Sequence, residues 1–236
     1  MKINTLTYTL GSLISLTLLS FSGTVKALDV NITEKISYVA VQHGNKTVRI
    51  QRNQDQNHRL TGGFSKTSRK CPPFCIEPMI VAPGVVTYGE LEVLQFIEDF
   101  VKPQTGVLID ARTPSWHKRG TIPLSINIPF TVFGLNRDDP KLIAAMKKIG
   151  AERRKEKLGG YWTDLKDVTG IEKKGNAYWD YSNAKELLLW CNGMWCGQSP
   201  RAIQSLVKLG YPPEKIHYYR AGMQGWLILG LSTVVP

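Results

Sequence analysis

The strongest constraint on the fold is an alternation of short apolar runs with amphipathic segments between residue 84 and the C-terminus. The apolar runs have the length of strands, and those without polar positions are typical of strands covered on both faces. The runs lie at Gly106–Asp110, 125–129, Glu186–Trp190 and 215–219, and segments with a helical repeat begin near residues 87, 140, 199 and 223. Alternating strands and helices predict an α/β fold, with a parallel sheet and helices on both faces.

Local signals mark where some of these helices begin and end. Thr87 and Glu90 have the spacing of a capping box, in which the hydroxyl and the carboxylate each accept a hydrogen bond from a backbone amide. Pro103 is expected to end that helix. Pro200 is well tolerated at the first position of a helix, and Gly210 is expected to end the same helix.

The first 27 residues have the composition of a secretory signal peptide. Lys2 supplies an early positive charge, an apolar run rich in hydroxyl residues follows, and small residues occupy the cleavage-defining positions Val25 and Ala27. The run is short for a transmembrane helix, which needs about 20 mostly apolar residues. We expect cleavage near Ala27 and a periplasmic or secreted protein, with membrane contact only through this segment where it stays uncleaved.

The rest of the chain is expected to form a small N-terminal β-hairpin appendage and one larger domain. Two β-rich runs, 36–41 and 47–52, flank a glycine-containing turn. Residues 61–83 are rich in Gly, Ser, Thr and Pro and predict an irregular connector, and a polar stretch before Tyr181 predicts a surface insertion. The expected organisation is a signal peptide at 1–27, the appendage and connector at 28–83, and the main domain at 84–236.

The formal net charge of +11 is large for a chain of 236 residues. The charges are scattered or lie beside acidic residues, as in 152–157, without the stacking aromatic residues that nucleic-acid grooves use. We therefore expect no nucleic-acid partner. The positive field instead favours small anions such as thiosulfate, sulfite or cyanide, because it raises their local concentration.

Four cysteines occur in the sequence, at Cys71, Cys75, Cys191 and Cys196. Three pairings into two disulfides are open, and the sequence does not choose among them. A local disulfide between Cys71 and Cys75 is the first expectation in an oxidising compartment, while pairing of either cysteine with Cys196 stays open. The spacing within each pair does not suit structural zinc, so no metal or other cofactor is expected.

Cys191 lies where the run Glu186–Trp190 passes into the next helix. Ligands of parallel sheets gather at the carboxyl ends of the strands, where helix N-termini present unpaired amides. Gly193 and Gly197 give the loop the freedom to turn its amides towards the sulfur, which favours a reactive thiolate. The alternative interpretation is a buried cysteine that only ends a strand.

Three segments together resemble the rhodanese-like sulfurtransferase family. They are 107–112 with 117–129, which carry an Asp-x-Arg pair and an Asn-Ile-Pro run; 187–199, the strand and cysteine loop; and 220–226, Arg-Ala-Gly-Met-Gln-Gly-Trp. The resemblance extends from about Thr87 to the C-terminus. It implies that Cys191 takes a sulfane sulfur from a donor such as thiosulfate, holds it as a persulfide and passes it to a thiophilic acceptor.

The resemblance also implies roles for the residues around Cys191. The substrate-binding residues are expected to be those whose backbone amides surround the sulfur, namely Asn192, Gly193, Met194, Trp195, Cys196 and Gly197. Asp110, Arg112 and Arg220 are expected to support the loop edge by charge-assisted hydrogen bonds. The expected partners are a small sulfur-containing anion or persulfide donor and a thiol acceptor, and a protein redox partner stays open.

The loop departs from the family pattern at its far end. Cys196 is the fifth residue after Cys191, and Gly197 stands at the sixth position, where cysteine phosphatases with a related loop need an arginine to bind phosphate. Phosphatase activity is therefore not expected. The second thiol favours one alternative function, a thiol-disulfide oxidoreductase that uses both cysteines. Another alternative is a non-catalytic binding module, since a fold alone does not fix function.

Overall fold

The computed structural model of the protein describes residues 29–154 and 178–236. The predicted signal peptide at 1–27, most of the predicted insertion before Tyr181 and part of the charged run 152–157 lie outside these residues. Within the described part of the chain, no helix is both long and apolar enough to span a bilayer.

Short strands and helices alternate along most of the described chain. The strands are β1 (Tyr38–His43), β2 (Lys46–Gln51), β3 (Val86–Tyr88), β4 (Gly106–Asp110), β5 (Ile126–Asn127), β6 (Glu152–Arg153), β7 (Trp179–Asp180), β8 (Glu186–Trp190) and β9 (Ile216–Tyr219). The helices are α1 (Glu90–Phe96), α2 (Pro114–His117), α3 (Pro140–Lys148), α4 (Gln198–Lys208) and α5 (Gly222–Ile228). A π-helical turn, Ile97–Val101, extends α1, and 3-10 turns lie at Gly62–Ser65, Val132–Gly134 and Pro213–Lys215.

Five of the strands form one parallel sheet, in the order β3-β9-β8-β4-β5. The central strand β8 pairs with β4 on one side and with β9 on the other, so that Trp190 lies between Asp110 and Tyr219. Because all five strands run in the same direction, their carboxyl ends meet at one edge of the sheet. The predicted α/β fold is confirmed.

The sheet is covered on both faces, and the side chains of β8 show why. Successive side chains of a strand point to opposite faces. Leu187 and Leu189 pack with α3 and α4, whereas Leu188 and Trp190 pack with α1, α5 and the hairpin. All four side chains are fully buried. Burial of each leucine contributes about 1.5–3 kcal/mol, so the central strand is held firmly from both sides.

The N-terminal hairpin of β1 and β2 is confirmed, and it packs on the second face of the sheet. Val41 and Ile50 are buried in the same core as α1 and α5. Just beyond β2, Arg52 bridges to Leu231, and the N–H of Ser232 donates to the carbonyl of Gln51 at 3.0 Å. The hairpin therefore shares its core with the main sheet, and the division of the chain into domains stays a prediction.

Residues 61–83 are irregular, as their composition predicts, apart from the 3-10 turn Gly62–Ser65. A disulfide joins Cys71 and Cys75 within this connector. Cys191 and Cys196 are left as free thiols. With Cys71 and Cys75 paired to each other, neither pairs with Cys196 in this structure.

The predicted capping box at the start of α1 is wrong. Thr87 lies in β3, opposite Tyr218 of β9, because Val86, Thr87 and Tyr88 are β-formers beside an open sheet edge. Gly89 is the N-cap instead, and its N–H donates to the carboxylate of Glu92 at 3.0 Å.

Two other boundaries shift by a few residues. The strand predicted at 125–129 shortens to β5 (Ile126–Asn127), since Pro129 has no N–H for the sheet ladder. Helix α4 begins at Gln198, which makes Pro200 its third residue rather than its first. The N–H groups of the first helical turn have no carbonyl partner within the helix. A proline at the third position therefore costs no hydrogen bond.

Candidate active site

Cys191 lies at the carboxyl edge of the sheet, directly after β8. The neighbouring strand β4 reaches the same edge, where the N–H of Ala111 donates to the carbonyl of Trp190 at 3.0 Å. Because α4 begins at Gln198, residues 192–197 form a loop between a strand end and a helix N-terminus. This is the position in which α/β folds hold their ligands.

The N-terminus of α5 holds the loop from its far side. The carbonyl of Cys191 accepts a hydrogen bond from the N–H of Met223 at 2.9 Å, and that of Asn192 accepts one from the N–H of Gln224 at 3.0 Å. Gly222 has a φ of 55°, and a β-carbon there would lie 2.4 Å from the carbonyl oxygen of Cys191. Only glycine fits this close approach, which accounts for the first of the two glycines in the 220–226 motif.

The sulfur of Cys191 is enclosed by the loop and by α4. The residue is only 1% exposed. The hydroxyl of Ser199 donates to its sulfur at 3.0 Å, and its own S–H donates to the carbonyl of Cys196 at 2.9 Å. Burial, and secondarily the interaction with the side chain of Cys196, raises the pKa of Cys191 well above its usual value. Cys191 is therefore a protonated thiol at neutral pH.

Cys196 is the more acidic of the two thiols. The nearby side chain of Cys191, helped by backbone hydrogen bonds from Asn192 and Gln198, lowers the pKa of Cys196 to about 7 against the opposing effect of burial. The side-chain Nδ2 of Asn192 also lies 3.8 Å from this sulfur. The backbone amides of Asn192 and Gln198 thus favour a thiolate on Cys196, while the backbone of Ser199 hydrogen-bonds the sulfur of Cys191.

A cavity of about 510 Å³ opens beside the loop. Cys196 and Asn192 line it, whereas Cys191 is not among the described residues of its wall. Most of the remaining wall is aromatic or charged: Phe74, Trp116, Phe130, Trp195, Arg69, Glu77 and Arg201. A molecule in the cavity therefore meets Cys196 before it meets Cys191.

The irregular connector supplies one wall of the cavity. The guanidinium of Arg69 stacks on the ring of Trp195, with Cζ 3.8 Å from the ring centroid. The N–H of Glu77 donates to the carbonyl of Met194 at 2.8 Å, and Nε of Arg220 donates to the carbonyl of Glu77 at 2.9 Å. Arg220 thus acts on the connector, which in turn holds the tip of the cysteine loop.

Gly197 leaves room for the side chain of Glu77. A β-carbon at position 197 would lie 2.8 Å from Oε1 of Glu77. The site that cysteine phosphatases fill with arginine is therefore taken by a carboxylate of the connector. The loop therefore lacks the arginine through which those enzymes bind phosphate.

Asp110 and Arg112 form a buried ion pair behind the loop. Arg112 donates from two nitrogens to the two carboxylate oxygens of Asp110, at 2.8 and 2.6 Å, the bidentate arrangement that arginine favours. Its guanidinium also lies over the ring of Trp190, with Cζ 4.6 Å from the centroid. The pair therefore orients the residue that precedes Cys191, and neither member is among the described residues of the cavity wall.

The structure separates the six predicted loop residues by role. Asn192, Trp195, Cys196 and Gly197 line the cavity. The N–H of Cys196, predicted to face the substrate, instead donates to the carbonyl of Gly193 at 2.9 Å. Met194 points outward and is 43% exposed.

Several residues of the site are not predicted by the sequence motifs. Ser199 was within reach of prediction, because a hydroxyl in the first turn of the helix after Cys191 lies near the strand end. Arg201 follows it on the same helix. No sequence pattern indicates that Arg69 and Glu77 belong to the site, because an irregular segment has no periodicity that predicts its tertiary contacts.

The family of the protein follows from its sequence. The model of the rhodanese-like domain family matches residues 93–229, more than half of the chain. The protein therefore belongs to the rhodanese-like domain family, and the resemblance of the three motifs is confirmed. No curated protein matches the chain.

Several solved structures are similar to this chain, at low levels of identity. The rhodanese-like domain of Anabaena sp. Alr3790 is 14% identical, with 66% of this chain and 81% of that chain covered and a TM-score of 0.36. The single-domain sulfurtransferase RDL2 of Saccharomyces cerevisiae is 18% identical (63% and 92% covered, TM-score 0.34). The human single-domain sulfurtransferase TSTD1 is 16% identical (62% and 97% covered, TM-score 0.32). These values are too low to transfer an activity from any of the three proteins.

Proposed function

We propose that the protein is a sulfurtransferase that carries sulfane sulfur as a persulfide on Cys191. In the first half-reaction a cysteine thiolate attacks the outer sulfur of a donor such as thiosulfate, the S–S bond of the donor breaks, and sulfite leaves with the electron pair. In the second, a thiophilic acceptor such as a small thiol or cyanide attacks the outer sulfur of the persulfide and releases the cysteine as a thiolate. Neither half-reaction consumes a cofactor.

The enclosure of the Cys191 sulfur is the observation that carries this proposal. An exposed persulfide loses its outer sulfur to any thiol that reaches it, because exchange depends on access. Cys191 is 1% exposed and lies at the ligand-binding edge of the sheet. Ser199 donates a hydrogen bond to its sulfur and so supports negative charge there. The site can therefore hold a sulfur atom out of solvent and still adjoin a cavity.

The cavity suits an anionic sulfur donor. Arg69 and Arg201 line it, and guanidinium groups bind oxyanions through paired hydrogen bonds. The net charge of +11, which becomes 11 − 2 = +9 once the proposed signal peptide with Lys2 and Lys26 is removed, adds a field that draws anions to the protein. Membership of the rhodanese-like family supports the same chemistry, with a sulfur-containing substrate and a thiol acceptor.

A second candidate function is thiol-disulfide exchange, and one specific observation favours it. Cys191 and Cys196 are both free thiols, and the S–H of Cys191 donates to the backbone carbonyl of Cys196 at 2.9 Å, so the two residues are in direct contact. Oxidation of such a pair would give a disulfide that a protein dithiol could reduce. A non-catalytic binding module is a third candidate, supported only by the general independence of fold and function.

The proposed site of action is outside the cytoplasm, after cleavage of the signal peptide near Ala27. The disulfide between Cys71 and Cys75 supports this location, because disulfides persist in oxidising compartments. N-terminal sequencing of the protein recovered from its native cell is the test. A mature chain that begins near residue 28 supports export, and an intact Met1 on a cytoplasmic protein contradicts it.

Thiocyanate formation from thiosulfate and cyanide tests the proposed activity. We expect turnover by the wild type, and a loss of more than about 10³-fold in Cys191→Ser, as for removal of a nucleophile. Ser205→Ala is the matched control, since Ser205 lies on α4 and is not among the described residues of the cavity wall. Its turnover should equal that of the wild type.

The outcomes separate the three candidates. Wild-type turnover in Cys191→Ser contradicts a persulfide on Cys191. Disulfide reductase activity in the wild type, lost in both Cys191→Ser and Cys196→Ser and without thiocyanate formation, indicates thiol-disulfide exchange instead. A wild-type protein with neither activity indicates a binding module.

A further inference from the structure

The two thiols of the site differ in their access to a donor. Cys196 lines the cavity, together with Asn192, whereas Cys191 lies behind it and is not among the described residues of the wall. The carbonyl of Cys196 and the hydroxyl of Ser199 contact the sulfur of Cys191 at 2.9 and 3.0 Å and close it off. A donor held in the cavity therefore contacts Cys196 rather than Cys191, although Cys196 is itself only 5% exposed.

We infer that Cys196 is a second catalytic residue, which takes the sulfane sulfur from a donor in the cavity and passes it to Cys191. This inference rests on the proposed sulfurtransferase function and adds a step to it. The loop then works as a two-thiol relay, in which Cys196 is the receiving cysteine and Cys191 the storing cysteine.

The relay balances without an added oxidant or reductant. The thiolate of Cys196 attacks the outer sulfur of the donor, and with thiosulfate the leaving group is sulfite. The proton of Cys191 moves to the outer sulfur of the Cys196 persulfide, and the Cys191 thiolate attacks that same sulfur. The bond between the outer sulfur and Cys196 breaks as the bond to Cys191 forms. Cys196 returns to a thiolate, and Cys191 holds S–SH.

The environments of the two sulfurs favour transfer in this direction. Sulfur exchange is faster when the leaving thiol is the more acidic and the attacking thiol the more nucleophilic. Hydrogen bonds lower the pKa of Cys196 to about 7, while burial raises the pKa of Cys191. Cys196 is therefore the better leaving group, and Cys191 is the better holder of the transferred sulfur.

Asn192 offers a hydrogen-bond acceptor for the persulfide S–H that the relay forms. The residue is 4% exposed and its Nδ2 lies 3.8 Å from the sulfur of Cys196. Its Oδ1 is buried and has no hydrogen-bond partner among the described residues. A buried acceptor without a partner is costly unless a donor arrives, and the S–H of a persulfide is such a donor.

Site-resolved mapping of the sulfur tests the relay. The wild type, Cys191→Ser and Cys196→Ser are treated with thiosulfate, alkylated at intervals with iodoacetamide and digested with trypsin, and the peptide that carries both positions is fragmented to place the extra sulfur. Cys191→Ser should accumulate the sulfur on Cys196. In Cys196→Ser the loading of Cys191 should be slower by more than about tenfold, because direct attack requires an accessible thiolate.

In the wild type, the sulfur should appear first on position 196 and then on position 191. Loading of Cys191 at the wild-type rate in Cys196→Ser overturns the relay and leaves the sulfurtransferase proposal standing. A wild-type disulfide between the two cysteines, with release of hydrosulfide, also overturns the relay. No sulfur on either cysteine of the wild type instead refutes the proposed function. Thermal unfolding of each variant, with Cys196→Ala as a second replacement, separates loss of chemistry from loss of fold.

Discussion

At the scale of single residues, the site is defined by two thiols with opposite environments. Cys191 is buried behind Ser199, and Cys196 lies at the cavity with amides directed at its sulfur. Chemical reactivity should therefore belong first to Cys196, although Cys191 is the cysteine that ends the strand. The residue that looks central in the sequence is the less accessible one in the structure.

The pH dependence of alkylation should report the acidity of Cys196. Hydrogen bonds lower its pKa to about 7 from the ordinary thiol value of 9.0. Only the thiolate reacts, so the rate of alkylation by iodoacetamide should rise as the pH increases through about 7 and level off above it. Peptide mapping should place the first alkyl group on Cys196. A rate that keeps rising through pH 9.0, or first labelling of Cys191, contradicts this assignment.

Ser199→Ala should weaken the storing cysteine. The lost hydrogen bond to a charged sulfur is worth about 2 kcal/mol, which corresponds to roughly a thirtyfold lower rate of thiocyanate formation. The measurement is kcat/KM for thiosulfate, with Ser205→Ala on the same helix as the control. An unchanged rate in Ser199→Ala would mean that the hydroxyl does not stabilise the sulfur.

At the scale of elements, the loop depends on the start of α5. The N–H groups of Met223 and Gln224 bind the loop carbonyls, and Gly222 makes this approach possible. A change at Gly222 should therefore disturb both the helix N-terminus and the cysteine loop.

Gly222→Ala should destabilise the protein by about 2–3 kcal/mol, because the new β-carbon meets the carbonyl of Cys191 and the φ of 55° disfavours it. Gly63→Ala is the matched control, since a β-carbon there meets nothing within 4 Å. Its unfolding free energy should stay within about 0.5 kcal/mol of the wild type. Urea denaturation measures both values, and equal effects would show that the close contact at Gly222 does not constrain the loop.

The elements that the sequence predicts best are those with a strong local pattern. The strand β8 matches its predicted bounds, and the helix α3 (Pro140–Lys148) ends one residue before its expected end, because continuous apolar runs and a clear helical repeat are local properties. The predicted capping role of Thr87 is wrong because its conformation depends on a non-local contact. Its spacing to Glu90 suits a cap, but pairing with β9 decides its conformation, and pairing is a tertiary effect.

The site could be predicted only in part. The strand-to-helix position of Cys191 follows from the sequence, since it depends on the order of elements. The direction of the loop amides depends on the detailed path of residues 192–197, and the wall formed by Arg69 and Glu77 depends on contacts remote in sequence. These features have no local signature.

At the scale of the whole molecule, the N-terminal region completes the cavity of the C-terminal sheet. The connector supplies Arg69 and Glu77, its disulfide lies beside them in the chain, and the hairpin packs on the opposite face from α4. The positive net charge then acts over the whole surface, rather than through one residue.

The dependence of the rate on ionic strength should distinguish electrostatic attraction of the donor from the sulfur-transfer step. The second-order rate with thiosulfate should fall several-fold when the salt concentration rises to about 0.15 M, because screening shortens the reach of the positive field. The rate with an uncharged organic trisulfide as donor should change little. Stopped-flow kinetics measures how the rate with each donor depends on the salt concentration. An equal dependence for both donors would rule out a contribution from the net charge of +11.

The central claim is that the loop between β8 and α4 holds one transferable sulfur, which the intact mass of the wild-type protein after treatment with thiosulfate tests most directly. We predict a gain of one sulfur atom, which cyanide removes and which is absent from the double variant Cys191→Ser with Cys196→Ser. A mass lower by two hydrogen atoms, from a disulfide between Cys191 and Cys196, or an unchanged mass would contradict it.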